Sequence, residues 1–184
     1  MIPQHGTLEI SHGRLRHNLD LIRARLPARA QICATIKADA YGHGLREMAG
    51  LLREAAVNWA CVYNLEEARE LARISTAASS DPFAILALAP FVLDPRLPVP
   101  VEILAQLSGS IRLNITDLAT AEALSAALSH ANAPHPLNIH IQVDAGLTRA
   151  GAAPKLAHEI AAAIEHLPGL RLEGVFAHLS HGDV

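Results

Sequence analysis

The chain has 184 residues, with 15 Lys+Arg against 18 Asp+Glu for a net charge of −3, and it is 51% hydrophobic but only 3% aromatic. Its length suits one ordinary domain of ~100–200 residues and is short for a complete barrel enzyme. The near-neutral balance leaves no basic stripe, which argues against nucleic acid and anionic membrane surfaces as partners and for a small molecule. A core so poor in aromatics must be built from Ala, Leu, Ile and Val, which fits parallel strands under helices.

The N-terminus, MIPQHGTLEI, lacks the basic patch and apolar run of a signal peptide. The longest apolar stretch, FAILALAPFVL, falls well short of the ~20 residues of a membrane span, so the cytoplasm is the expected location. Along the chain the strand candidates are QICATI, WACV, FAILAL, SIRLNI, NIHIQV and LEGVFAHL. Helix candidates lie near 44–56, 65–74, 100–107, 117–129 and 154–166. Strand and helix alternate, the pattern of βα units around a parallel sheet. Asn64, with Glu67 three residues later, resembles a capping box, and Pro154 stands at a first helical position. STAASSDP, DPRLPVP and NAPHPL read as loops, and no long linker or repeat divides residues 1–184, which read as one domain. Cys33 and Cys61 each fall in a predicted buried strand, where a thiol behaves as a small hydrophobe, and are expected to be reduced and structural.

Alternation within strands adds a second layer. In NIHIQV, Ile139, Ile141 and Val143 point one way and Asn138, His140 and Gln142 the other. In a barrel the apolar set faces the helices and the polar set the interior. Cys33, Thr35 and Lys37 share one face by the same rule, and Phe176 shares one with His178. Polar side chains are thereby expected at the strands' C-terminal ends, where barrel enzymes place their active sites.

The run IKADAYGHG carries the clearest chemistry. Lys37 closes a short apolar segment, Tyr41 follows, and a Gly-His-Gly turn with Gly42 and Gly44 comes behind. An amine desolvated at a strand end is more easily neutral and can attack a carbonyl to form a Schiff base. Read alone, the same lysine could merely extend into solvent from the barrel mouth. IKADAYGHG resembles the pyridoxal-phosphate lysine signature of the alanine racemases. LEISHGRLRHNL at 8–19 is similar to that family's opening strand and first helix, with Arg16, His17 and Asn18 matching its Arg-His-Asn. NLEEARELA at 64–72 resembles its Glu-Glu-Ala helix, and VDAGLTRAG at 143–151 its Val-Asp-Thr-Gly-Met-x-Arg-x-Gly. LEGVFAHLS at 172–180 resembles its Glu-Gly-x-x-Thr-His segment, so the matches keep the family's order over essentially the whole chain.

The resemblance implies a pyridoxal 5'-phosphate enzyme that interconverts L- and D-alanine, supplying D-alanine for peptidoglycan. It makes Lys37 both the Schiff-base residue and a proton-transfer base, and gives Tyr41 to the cofactor phosphate. Arg149 would reach the cofactor's phenolic oxygen and help position substrate, while His178 would line the barrel under the cofactor ring. Without the resemblance, Tyr41 could simply cap the barrel mouth and Arg149 could close a turn. The spacing of His178, His181 and Asp183 raises a metal site, but such a site needs three or four convergent ligands, so none is expected.

Gln142 stands where many family members carry a carbamylated lysine. Its carbonyl can accept a hydrogen bond from Arg149 but brings no charge. The resemblance further implies an eight-stranded (β/α)8 TIM-type barrel followed by a β-rich domain, and a homodimer at full length. About six of the eight strands are expected in this α/β chain, with the C-terminal β domain absent and the opposing tyrosine base beyond Val184. The isolated chain is therefore expected to be inactive or nearly so. Alternatives are a non-catalytic pyridoxal-phosphate-binding barrel protein and a racemase for another amino acid.

Overall fold

The computed structural model describes residues 7–78, 82–93, 109–132 and 135–181. The elements run α1 (His12–Arg23), β1 (Cys33–Thr35), the single turn α2 (Lys37–Gly42), α3 (Leu45–Glu54), β2 (Trp59–Val62), α4 (Leu65–Ala78) and β3 (Ala84–Pro90). They continue with β4 (Ile111–Ile115), α5 (Leu118–His130), β5 (Leu137–Val143), α6 (Pro154–Ile164) and β6 (Leu170–Ala177). The six strands form one sheet in the order β1-β2-β3-β4-β5-β6, every neighbouring pair parallel. Sequential parallel strands with helical crossovers are the βα repeat of a barrel, here in part.

The helix starts follow local chemistry. Ser11 accepts the Arg14 N–H at 3.3 Å, Asp117 accepts the Thr120 N–H at 2.7 Å, and Pro154 opens α6. Leu8–Ile10, expected to form an opening strand, pairs with no strand among the described residues. The helix expected at 100–107 lies outside the described residues, as do the DPRLPVP loop and Asp183.

The two faces of the sheet divide as the alternation predicts. Ile111, Leu113 and Ile115 of β4 and Leu137, Ile139 and Ile141 of β5 are fully buried in the core beneath the helices, together with Leu124, Leu128, Ile160 and Ile164. Cys61, Leu86, Arg112, Asn114, Asn138 and Gln142 are buried too but lie outside that apolar cluster, on the inner face. At ~25 cal/mol per Å² of apolar burial, the helix-covered face carries most of the stabilisation. The inner face is left free to hold polar groups.

Candidate functional site

All strands run the same way, so their carboxyl ends form one rim, and the four residues singled out in the sequence stand along it. Lys37 and Tyr41 lie in the turn after β1, Arg149 in the loop after β5, and His178 immediately after β6. Lys37 is half-buried, its Nζ 6.0 Å from the centroid of the Tyr63 ring. Tyr41 is 60% exposed, and Arg149 and His178 are exposed as well. No hydrogen bond, ion pair or ring contact joins the side chains of any two of the four or engages the side chain of Tyr41, Arg149 or His178 among the described residues.

The turn holding Lys37 has an unusual backbone. Ala38, Asp39, Ala40 and Tyr41 all adopt left-handed helical angles, with φ between 52° and 56°. For L-residues this conformation costs ~1–2 kcal/mol each, so surrounding bonds must enforce it. The Ala40 N–H donates to the Ile36 carbonyl at 3.0 Å. Asp39 Oδ1 accepts the Leu45 N–H at 2.7 Å, which caps α3 where Gly44 has no side chain to do so. The Ala38 N–H donates to Glu67 Oε1 at 2.9 Å.

Glu67 joins two turns. Its other oxygen, Oε2, accepts the Tyr63 N–H at 2.7 Å, so one carboxylate ties the backbone after Lys37 to the backbone after β2. Half of the expected capping box forms, with the Glu67 N–H donating to Asn64 Oδ1 at 2.9 Å. The Glu67 side chain, which in a capping box returns to the N-cap, is diverted to the Lys37 turn. The spacing in the sequence marked Glu67 as a capping residue and gave no sign of this second task.

The loop carrying Arg149 is tied at its base. Asp144 Oδ1 accepts the Gly146 and Thr148 N–H groups, both at 3.0 Å. The Asp144 N–H donates to the Ala152 carbonyl at 2.9 Å, and the Ala152 N–H to the Gln142 carbonyl at 2.8 Å. Gly151 adopts φ +112°, and a Cβ there would come within 2.7 Å of the Asp144 nitrogen, so the close approach requires glycine. The expected pairing of Gln142 with Arg149 does not form. Gln142 is buried, its Oε1 accepting from Asn114 Nδ2 at 2.9 Å and its Nε2 donating to the Ala150 carbonyl at 3.3 Å. A buried amide oxygen takes the nearest donor, and Asn114 lies on the adjoining strand.

Deeper on the inner face is a charged cluster that the sequence did not reveal. Arg112 meets Glu173 through two hydrogen bonds, Nε to Oε2 at 2.6 Å and Nη2 to Oε1 at 2.8 Å, and its guanidinium lies 4.8 Å from the Trp59 ring centroid. His140 Nε2 is 3.2 Å from Glu173 Oε2, while its Nδ1 is buried without a hydrogen-bond partner. The Arg112 hydrogen bond, outweighing partial burial, holds the Glu173 carboxyl below its ordinary value of 4.5. A register shift between Ile139 and His140 in the β5–β6 pairing lets Glu173 turn to this face. The alternation of LEGVFAHL alone gives no hint of that extra residue. Among the described residues no group of three or more His, Cys, Asp or Glu could hold a metal ion. No helix of the described residues is long and apolar enough to cross a membrane.

Fold and rim together define a parallel βα barrel protein that presents a strand-end lysine in a constrained turn. The chain matches the sequence model of the family described as "Alanine racemase, N-terminal domain" over residues 10–184, and it belongs to that family. It is 32% identical to the alanine racemase of Cutibacterium acnes over 183 residues, covering 99% of this chain and 44% of the relative. It is 32% identical to that of Chlorobaculum tepidum over 174 residues, covering 95% of this chain and 43% of the relative. The chain thus spans less than half the length of these curated relatives. The solved alanine racemase of Clostridium difficile 630 superposes with a TM-score of 0.74 at 28% identity, covering 93% of this chain and 44% of that one. A histidine racemase from Leuconostoc mesenteroides superposes with a TM-score of 0.80 at 22% identity, over 100% of this chain and 46% of that one, a likeness of fold alone.

Proposed function

We propose that residues 1–184 are the incomplete N-terminal barrel domain of a pyridoxal-phosphate-dependent racemase that interconverts L- and D-alanine. The observation that carries this reading is the rim itself. An amine, a phenol, a guanidinium and an imidazole stand at the carboxyl ends of the strands, and three of the four are uncommitted among the described residues. That donor set fits an anionic aldehyde cofactor: the Lys37 amine would meet its carbonyl, the Tyr41 hydroxyl its phosphate and Arg149 its phenolic oxygen, and His178 would line the site. When bound, pyridoxal phosphate supplies an electron sink that stabilises charge at the substrate Cα.

The chain's own residues would then position and move a proton. Lys37 Nζ would remove or deliver the α-proton on one face of the substrate, while the Glu67 bonds to Ala38 and Tyr63 fix the backbone from which Lys37 extends. Arg149 holds substrate from the tied loop. A base on the opposite face is also required for racemisation. In this reading the full-length protein works in the cytoplasm as a homodimer and provides D-alanine for peptidoglycan.

The test is to express the coding frame through and beyond the Val184 codon to its own stop and to assay L-alanine with added cofactor. The reading predicts D-alanine formation that Lys37→Arg abolishes. Cofactor binding without turnover by that product would favour the non-catalytic alternative, and turnover of a different amino acid would redirect the substrate.

A further inference from the structure

Two thiols lie side by side on the inner face of the sheet, below the rim. β1 and β2 pair with Cys33 opposite Trp59 and Thr35 opposite Cys61, which makes the two cysteines diagonal neighbours. Their sulfurs are 3.0 Å apart, and both cysteines are free. A disulfide measures ~2.05 Å, so the sulfurs are about 1 Å from bonding distance. Both lie outside the helix-side core. β1 has only three residues, so the small shift that closure needs moves a short ladder. In the 184-residue chain Cys33 is exposed while Cys61 is 8% exposed, so there a small oxidant reaches the pair from one side.

We propose that Cys33 and Cys61 form a peroxide-sensitive modification site that closes to an intrachain disulfide between β1 and β2. One sulfur, as thiolate, attacks an oxygen of hydrogen peroxide. The O–O bond breaks, and hydroxide leaves and is protonated to water, leaving a sulfenic acid. The second sulfur gives up its proton and attacks the first; the S–S bond forms, the S–O bond breaks, and a second water leaves. Two thiols are oxidised and one peroxide is reduced. The contact between the sulfurs assists the first step, because a thiol that donates a hydrogen bond to its neighbour favours the thiolate form of one sulfur of the pair. The cross-link would join the strands leading to Lys37 and Tyr63, on either side of their 6.0 Å contact.

The experiment treats the 184-residue chain with hydrogen peroxide, blocks remaining thiols with N-ethylmaleimide, digests with trypsin without reductant and measures peptide masses. An equal mixture of ¹⁴N- and ¹⁵N-labelled chains distinguishes bonds within a chain from bonds between chains. The expected result is peptide Ala30–Lys37 joined to peptide Glu54–Arg69 at two hydrogens below their summed mass. The joined peptides should carry a single isotope, should be separated by dithiothreitol, and should account for one peroxide consumed per two thiols. Both thiols alkylated after an exposure that oxidises free glutathione would overturn the proposal. So would cross-links of mixed isotope only, or oxidation that stops at sulfinic acid.

Discussion

Replacing Glu67 by Gln tests the link between two turns that holds Lys37 in place. The native carboxylate accepts the Ala38 N–H at 2.9 Å and the Tyr63 N–H at 2.7 Å, distances suited to charge-assisted bonds. Such bonds contribute ~1.5–3 kcal/mol each when shielded, and screening at this partly exposed position reduces that to about 1 kcal/mol or a little more apiece. Glutamine keeps one carbonyl acceptor and turns an NH2 toward the other N–H, so one bond is lost and the other weakened. The net cost is about 1.5 kcal/mol, concentrated in the Lys37 turn because four left-handed residues there depend on outside support. Amide hydrogen exchange reads this locally. Exchange at Ala38 and Tyr63 should quicken ~10-fold, since 1.4 kcal/mol corresponds to a factor of ten, while amides of β5 such as Ile139 stay unchanged. Exchange at Ala38 and Tyr63 within twofold of the parent chain would refute the account of the turn.

Further outcomes follow from other sites. A Cβ added by Gly174→Ala would lie 2.7 Å from His140 Cε1 and 3.0 Å from Nδ1, with that ring confined between Trp59 and Phe176, so thermal melting should fall by several degrees for ~1–3 kcal/mol of overpacking. Gly50→Ala, where nothing lies within 4 Å, should not lower it. Glu173 has a folded-state pKa depressed from 4.5, so its contribution to stability is present above that value and is lost as the pH falls through the folded one. Urea midpoints measured from pH ~6 downward should decline less steeply in Glu173→Gln than in the parent, and parallel curves would remove Glu173 from the acid response. The 184-residue chain alone should racemise L-alanine at a small fraction of a full-length relative's rate, because Lys37 serves only one face of the substrate carbon. A comparable rate would contradict the two-base reading.

The parallel sheet was legible because its signal repeats. WACV became β2 at Trp59–Val62 without change, and the inward set Asn138, His140 and Gln142 separated from the core as their alternation required. Other boundaries moved where tertiary bonds outweighed local composition. STAASSDP reads as loop, yet α4 runs through it to Ala78, with buried Ser75 accepting the Phe83 N–H at 2.8 Å and a hydrogen bond from Arg53 at 2.9 Å. QICATI shortened to Cys33–Thr35 because the chain turns at Ile36 into left-handed geometry. No propensity foretells that geometry in Ala-Asp-Ala-Tyr, since it is held by bonds to more distant residues, from the Ala38 N–H to Glu67 and from Asp39 Oδ1 to the Leu45 N–H. The positions of Lys37, Tyr41, Arg149 and His178 on one rim were readable from motif and strand order. The contact between Arg112 and Glu173 was not, because it depends on a register shift two strands away.

The most direct measurement is to incubate the chain with pyridoxal phosphate, reduce with borohydride, and locate the modified lysine by peptide mass. The account predicts the label on Lys37, with its loss in Lys37→Ala and little at Lys155. Label spread evenly over both lysines would contradict a built cofactor site at the end of β1.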